Sequence, residues 1–207
     1  MKPNKMKVIG ITGGVGAGKS QILSYLKERT RCRIIMADQV AHELEEPDGR
    51  CYKQILSKLG TSILAEDGRI DRTKMAARIF ADEKLLLQIN EIVHPAVKEY
   101  IIAAIAEERA EGRIDYLFIE AALLIENGYK AIVDELWYIH ADMHVRRERL
   151  KASRGYSDEK IDSIVKGQLS EEEFYGQCSV VIDNSGTLDS VYRQIDKKLG
   201  EDLCQKR

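Results

Sequence analysis

Proline is scarce in this chain, three residues in 207 beside 15 glycines, which excludes collagen-like and proline-rich architectures. Cysteine is equally sparse. Cys32, Cys51, Cys178 and Cys204 form no Cys-x-x-Cys pair, so a zinc site or a disulfide framework is not expected, and the thiols fit a reducing compartment. Neither sign of charge is in excess: 32 Lys and Arg against 34 Asp and Glu leave a net charge of −2, so no global field favours nucleic acid or an anionic membrane as partner. No apolar run approaches the roughly 20 residues of a membrane span. The basic start, Met1 to Lys7, leads into an apolar run that breaks at Gly13-Gly14, too short for a secretion signal, and a cytoplasmic protein is expected. What is present is core material, 44% hydrophobic residues, at a length that suits one nucleus with an inserted or appended subdomain.

The apolar run Val8-Ile9-Gly10-Ile11 ends in a glycine cluster, and helical spacing begins at Lys19 and continues through Ile22, Leu23 and Leu26. This reads as strand, loop, helix. Arg33–Met36 follows as a second strand, parallel to the first because a helix intervenes. Residues 116–119, 135–139 and 179–182 are further short apolar runs of the kind found in a sheet covered on both faces. Between strands two and three, residues 40–110 read as all helical, with turn signals at Pro47-Asp48-Gly49, Glu66-Asp67-Gly68 and His94-Pro95, the last marking a helix start. A second helical excursion, residues 142–177, opens with the basic cluster Arg146, Arg147, Arg149, Lys151, Arg154 and carries a capping box at Ser170-x-x-Glu173.

Gly13-Gly14-Val15-Gly16-Ala17-Gly18-Lys19-Ser20 fits G-x-x-x-x-G-K-[ST] in the strand–loop–helix setting that the pattern requires. Glycines let backbone N–H groups turn onto phosphate oxygens, the helix N-terminus adds its dipole, Lys19 reaches the outer phosphates, and Ser20 can hold Mg²⁺. ATP with Mg²⁺ is therefore the expected donor. Lys19 is expected to face solvent. No Thr-Lys-x-Asp guanine reader occurs, and a helical insertion with a basic excursion suits a compact kinase.

The acceptor side is less determined. Asp38, two residues past the second strand, can orient or deprotonate an acceptor hydroxyl, or it can be an N-cap for a helix starting near Gln39. Glu120, at a strand end, fits a carboxylate that holds Mg²⁺ through water, or a plain strand-end acid. His94 fits a substrate contact or a bystander at a helix start. His42, His140 and His144 lack metal-ligand spacing and read as ordinary. In the basic cluster, Arg146 and Arg149 share one helical face and Arg147 and Lys151 another, which serves a solvated helix or a phosphate-neutralising one.

Taken together, Ile11–Ser20, Ala37-Asp38, Asp67–Arg72, Ile79-Phe80, His94–Val97, Glu120–Glu126, Arg149-Leu150, Arg154–Ser157, Gln168 and Val181–Gly186 resemble the dephospho-CoA kinase family over nearly the whole chain. That resemblance implies transfer of the ATP γ-phosphate to the ribose 3′-hydroxyl of dephospho-CoA. The implied fold is α/β: a P-loop kinase core with a parallel five-stranded sheet (residues 1–38, 112–141 and 178–207), a helical CoA-substrate domain (39–111) and a small helical lid (142–177). It implies ATP binding by Gly14, Gly16, Ala17, Gly18, Lys19, Ser20, Gln21, Arg154, Asn184 and Gly186, and catalysis by Lys19, Asp38 and Arg149. Asp38 and His94 fall to the acceptor, Ser20 and Glu120 to Mg²⁺. The chain departs from the family at Met36, where an Asp is usual, and at Glu120-Ala121-Ala122, where Asp-x-Pro is usual. It departs again in the Arg149-to-Arg154 spacing, at Phe174, where a phosphate-side Lys or Arg is usual, and at Cys178-Ser179, where Ala-Asp is usual. These changes bear on rate and affinity. Another small-molecule kinase, or a nucleotide-binding module with weak catalysis, is the alternative reading.

Overall fold

The computed structural model describes residues 6–80 and 82–205; the first five residues and the Cys204 side chain lie outside the described residues. Five strands, β1 (Lys7–Thr12), β2 (Cys32–Met36), β3 (Tyr116–Glu120), β4 (Glu135–His140) and β5 (Val180–Asp183), form one sheet in the order β2-β3-β1-β4-β5. The α/β class with a five-stranded parallel sheet is the one read from the sequence. β1 is central, pairing in parallel with β3 (Ile9 opposite Phe118) and with β4 (Ile11 opposite Trp137), and β4 pairs with β5 (Tyr138 opposite Val181).

Helices connect the strands: α1 (Lys19–Arg29), α2 (Ala37–Glu45), α3 (Tyr52–Leu59), α4 (Arg72–Phe80), α5 (Glu83–Glu111), α6 (Met143–Arg154), α7 (Asp158–Lys166), α8 (Glu171–Gln177) and α9 (Leu188–Gln205). Alternate residues of the inner strands, Ile9, Ile11, Phe118, Trp137 and Ile139, pack with Ile22 and Leu26 of α1 and Val191 and Ile195 of α9. The i, i+4 spacing on both helices puts those pairs on one face, which is the face that is buried. The outer strands differ from the expectation of full cover: in β2 only Ile35 is buried, and Val181 of β5 is exposed. An edge strand has a neighbour on one side only, and its apolar residues serve pairing as much as burial.

Two compact units are present: Ile35–Glu107, and the remainder of the chain, which includes α6 to α8. The Ile35–Glu107 unit is helical as read, with a single antiparallel bridge, Leu64 to Ile70, closing the turn at Gly68 among the described residues. His94-Pro95 does not start a helix there. Pro95 lies inside α5, which begins at Glu83. An interior proline removes one hydrogen bond and costs about 3 kcal/mol, but the apolar stripe Ile89, Val93, Ala96, Val97, Ile101, Ala104 and Ile105 is buried on both sides of it. Its burial outweighs the loss at about 1.5–3 kcal/mol for each large side chain. Among the described residues, no helix is long and apolar enough to cross a membrane.

Candidate active site

The glycine loop turns between β1 and α1 with Gly16 at φ 79° and Gly18 at φ 88°, conformations that side chains other than glycine rarely adopt. Close approach adds a second reason at Gly18, where a Cβ would strike the Asn184 amide. Three loop carbonyls are tied down by donors. Gly13 accepts from Lys19 Nζ at 2.9 Å, Val15 from Arg146 Nε at 2.8 Å, and Ala17 from Asn184 Nδ2 at 2.7 Å. Holding the carbonyl oxygens in protein hydrogen bonds keeps their negative ends engaged, while the first N–H groups of α1, which a helix leaves without intrahelical acceptors, remain for an anion.

Lys19 does not face solvent as expected. Its side chain is 16% exposed, lying on the Gly13 carbonyl and 3.4 Å from Glu120 Oε1. Glu120 ends β3 opposite Ile11 and is buried, so the sheet register itself brings this carboxylate to the loop. Ser20 and Gln21 are exposed in the first turn of α1. Arg149 donates to the Asn184 carbonyl at 2.9 Å and approaches the Ala17 carbonyl at 3.5 Å, while Asn184 is fully buried with its Oδ1 lacking a protein partner. The two faces read from the basic cluster separate as the spacing implies: Arg146 and Arg149 turn to the loop, and Arg147 and Lys151 pair with Asp158, Arg147 also with Asp162. Arg154 stands at the exposed end of α6 over the Tyr156 ring, and Gly186 is exposed with open space around it.

Phe174 is buried, 5% exposed, and stacks on Tyr138 with ring centroids 4.6 Å apart. Burial, with the charge of Glu171, pushes the Tyr138 phenol up to about 12. Phenylalanine here is a packing residue.

Within the helical unit, α2 and α4 border an open cleft of about 330 Å³ lined by Asp38, His42, Glu45, Arg72, Met75 and Ile79, with Ala41 and Ala76. Asp38 is not a helix cap. α2 starts at Ala37 directly from β2, Met36 is its N-cap, and Asp38 lies in the first turn with its side chain exposed. Arg72 bonds to His42 and reaches Glu45 at 3.3 Å. Burial and the Arg72 charge push the His42 imidazole below its usual range; burial pushes Glu45 up against the opposing pull of Arg72. His94 lies within α5 and does not line this cleft. His42, read as ordinary, lines this cleft with Asp38 and meets Arg72. The signal was available in Asp38, His42 and Glu45 falling at i, i+4 and i+7 on one face of a helix.

Comparison with known proteins supplies the family context. Residues 7–190 match the family described as dephospho-CoA kinase. A dephospho-CoA kinase from Carboxydothermus hydrogenoformans is 35% identical over 190 residues, 92% of this chain and 91% of that protein. A solved structure from Thermus thermophilus superposes with a TM-score of 0.79 at 26% identity, covering 95% of this chain and 97% of the other. The dephospho-CoA kinase from Campylobacter jejuni, at 19% identity and a TM-score of 0.71 over 94% of this chain and 96% of that one, shares the fold.

Proposed function

The chain belongs to the dephospho-CoA kinase family of ATP-dependent kinases, and on that premise we propose that it moves the γ-phosphate of ATP to the ribose 3′-hydroxyl of dephospho-CoA. The observation that carries the donor half is the loop itself, with the carbonyls of Gly13, Val15 and Ala17 held by protein donors and Lys19 beside Glu120. Phosphoryl transfer asks the protein mainly for positioning and charge. Gly14, Gly16, Ala17, Gly18, Ser20 and Gln21 line the triphosphate. Lys19 neutralises its outer phosphates, and Arg149, already fixed on Asn184 and Ala17, adds charge where it develops in the transition state. Asn184, Gly186 and Arg154 are assigned to the base side from the family resemblance, Asn184 acting through the Ala17 carbonyl that its amide holds.

The residues also fit Mg²⁺. Ser20 offers an exposed hydroxyl and Glu120 a carboxylate, and no cluster of three or more His, Cys, Asp or Glu suited to a metal occurs among the described residues. That set suits an ion that takes most of its ligands from phosphate and water. When bound, Mg²⁺ neutralises charge on the β and γ phosphates.

On the acceptor side, Asp38 receives the proton of the attacking hydroxyl, and His42 and Arg72 hold the substrate in the cleft that Asp38 lines. His94 is assigned to the same substrate from the family resemblance. The experiment is incubation with ATP, Mg²⁺ and a panel of dephospho-CoA, adenosine, shikimate and gluconate, with the products identified by mass. Phosphorylation of dephospho-CoA alone is expected. Transfer to another member of the panel, or to none, overturns the reading, the latter leaving a nucleotide-binding module.

A further inference from the structure

Arg146 is the buried member of the basic cluster, 6% exposed. Its Nε donates to the Val15 carbonyl and its Nη2 to Gln168 Oε1, both at 2.8 Å, and the same Gln168 oxygen accepts the Val15 N–H at 3.2 Å. Three residues thus close a ring of hydrogen bonds in which both backbone groups at the middle of the glycine loop are held. The guanidinium fills the space a side chain on Gly14 would take, and the Arg146 backbone with the Leu150 side chain crowds Gly16. Both acceptors are neutral oxygens, so no bonded carboxylate cancels the charge. A structural packing role does not call for such a group, because an apolar side chain of equal size avoids its desolvation cost. A fork that must meet two acceptors in fixed directions does call for it.

We propose that Arg146 and Gln168 form a positioning clamp on Val15 that holds the loop in its phosphate-binding conformation and ties the placement of the α6–α8 excursion to ATP affinity. This rests on the donor-site reading above. Neither residue is assigned contact with the reacting atoms; both act through the loop.

The test measures ATP dissociation constants by calorimetry, together with kcat and KM for both substrates, in Arg146→Met, Arg146→Lys, Gln168→Ala and the double variant Arg146→Met/Gln168→Ala. Arg146→Met is expected to weaken ATP binding by about tenfold or more, and Gln168→Ala by a smaller factor. The double variant should be no weaker than Arg146→Met alone, since one clamp is lost only once. Arg146→Lys should recover less than half of the logarithmic loss, because one ammonium does not reproduce the fork. The KM for dephospho-CoA should stay within about twofold throughout. Multiplying losses in the double variant, full recovery by lysine, or unchanged ATP affinity in both single variants overturns the clamp. Should Arg146→Met fail to fold, Arg146→Lys and Gln168→Ala decide the question. A wild type that binds ATP yet phosphorylates no dephospho-CoA overturns the assigned activity and leaves the affinity comparison standing.

Discussion

Replacing Phe174 by Lys restores the residue type usual in the family and should cost stability without improving ATP use. Phe174 is 5% exposed, so exchanging it forfeits about 1.5–3 kcal/mol of burial. Its stack on Tyr138, at 4.6 Å and 6° between planes, adds about 0.5–1.5 kcal/mol. The lysine stem recovers part of this by running its ammonium out to water. A net loss near 3 kcal/mol follows, and at about 2–4 °C per kcal/mol for a chain of this size the melting midpoint should fall by about 6–12 °C. Phe174→Leu keeps most of the burial and loses the stack, so its midpoint should fall by only about 2–6 °C. Circular dichroism melts of the three proteins, with the KM for ATP measured well below the lower midpoint, make the comparison. A Phe174→Lys protein that melts with wild type and binds ATP tenfold more tightly would refute the packing argument and return this position to the phosphate site.

Asp38→Asn should lower kcat by about 10² or more with the KM for ATP nearly unchanged, as loss of a positioned base does; the first-turn carboxylate also faces the α2 dipole, so a stability loss of about 0.3–1 kcal/mol accompanies it. A melt shifted by that amount with kcat intact would assign Asp38 to the helix alone. Lys19→Ala should reduce transfer by about 10²–10³, and near-normal turnover would remove Lys19 from the donor site. Glu135 gives a pH dependence with a definite sign. Burial pushes its carboxyl up, but hydrogen bonds from Lys7, Trp137 and Lys198 and the Lys7 charge prevail and hold it below its ordinary value. The stability it contributes is therefore complete above the unfolded value, about 4.3, and is lost as pH falls through the lower folded value. Urea midpoints of Glu135→Gln and wild type should differ at pH 7 and draw together as the pH is lowered below the unfolded value; a constant gap would exclude the linkage.

The donor half was legible because local signals suffice there. A strand ending in glycines, then Lys19-Ser20 and a helical period, determines loop, register and chemistry together. Arg146 and Arg149 were placed on one face by spacing alone, but that the face meets the loop depends on contacts with Val15 and Ala17 far away in sequence. The acceptor half was harder to read because its signals compete. Pro95 announces a helix start by local chemistry, and the apolar stripe on either side overrides it. Asp38 reads as a cap only if a connecting residue separates strand from helix, and α2 begins at the residue after β2 with none between. His42 finds its partner in Arg72, thirty positions later on another helix. Phe174 reads as a lost cation against the family pattern, and only the stack on Tyr138 shows what it does.

The hydrogen bond from Asn184 to the Ala17 carbonyl joins residues 167 apart. During synthesis at ~5–20 residues per second, about 8–33 s pass between the two leaving the ribosome's catalytic centre. Throughout that interval the loop exists as sequence without its last anchor, and β1 waits for partners that are encoded beyond residue 115. Nucleotide then finds a finished cradle only on a chain that has completed β5. A ligand that binds the folded form and not its precursors pulls folding forward by mass action, so a nucleotide bound at this loop favours the completed sheet.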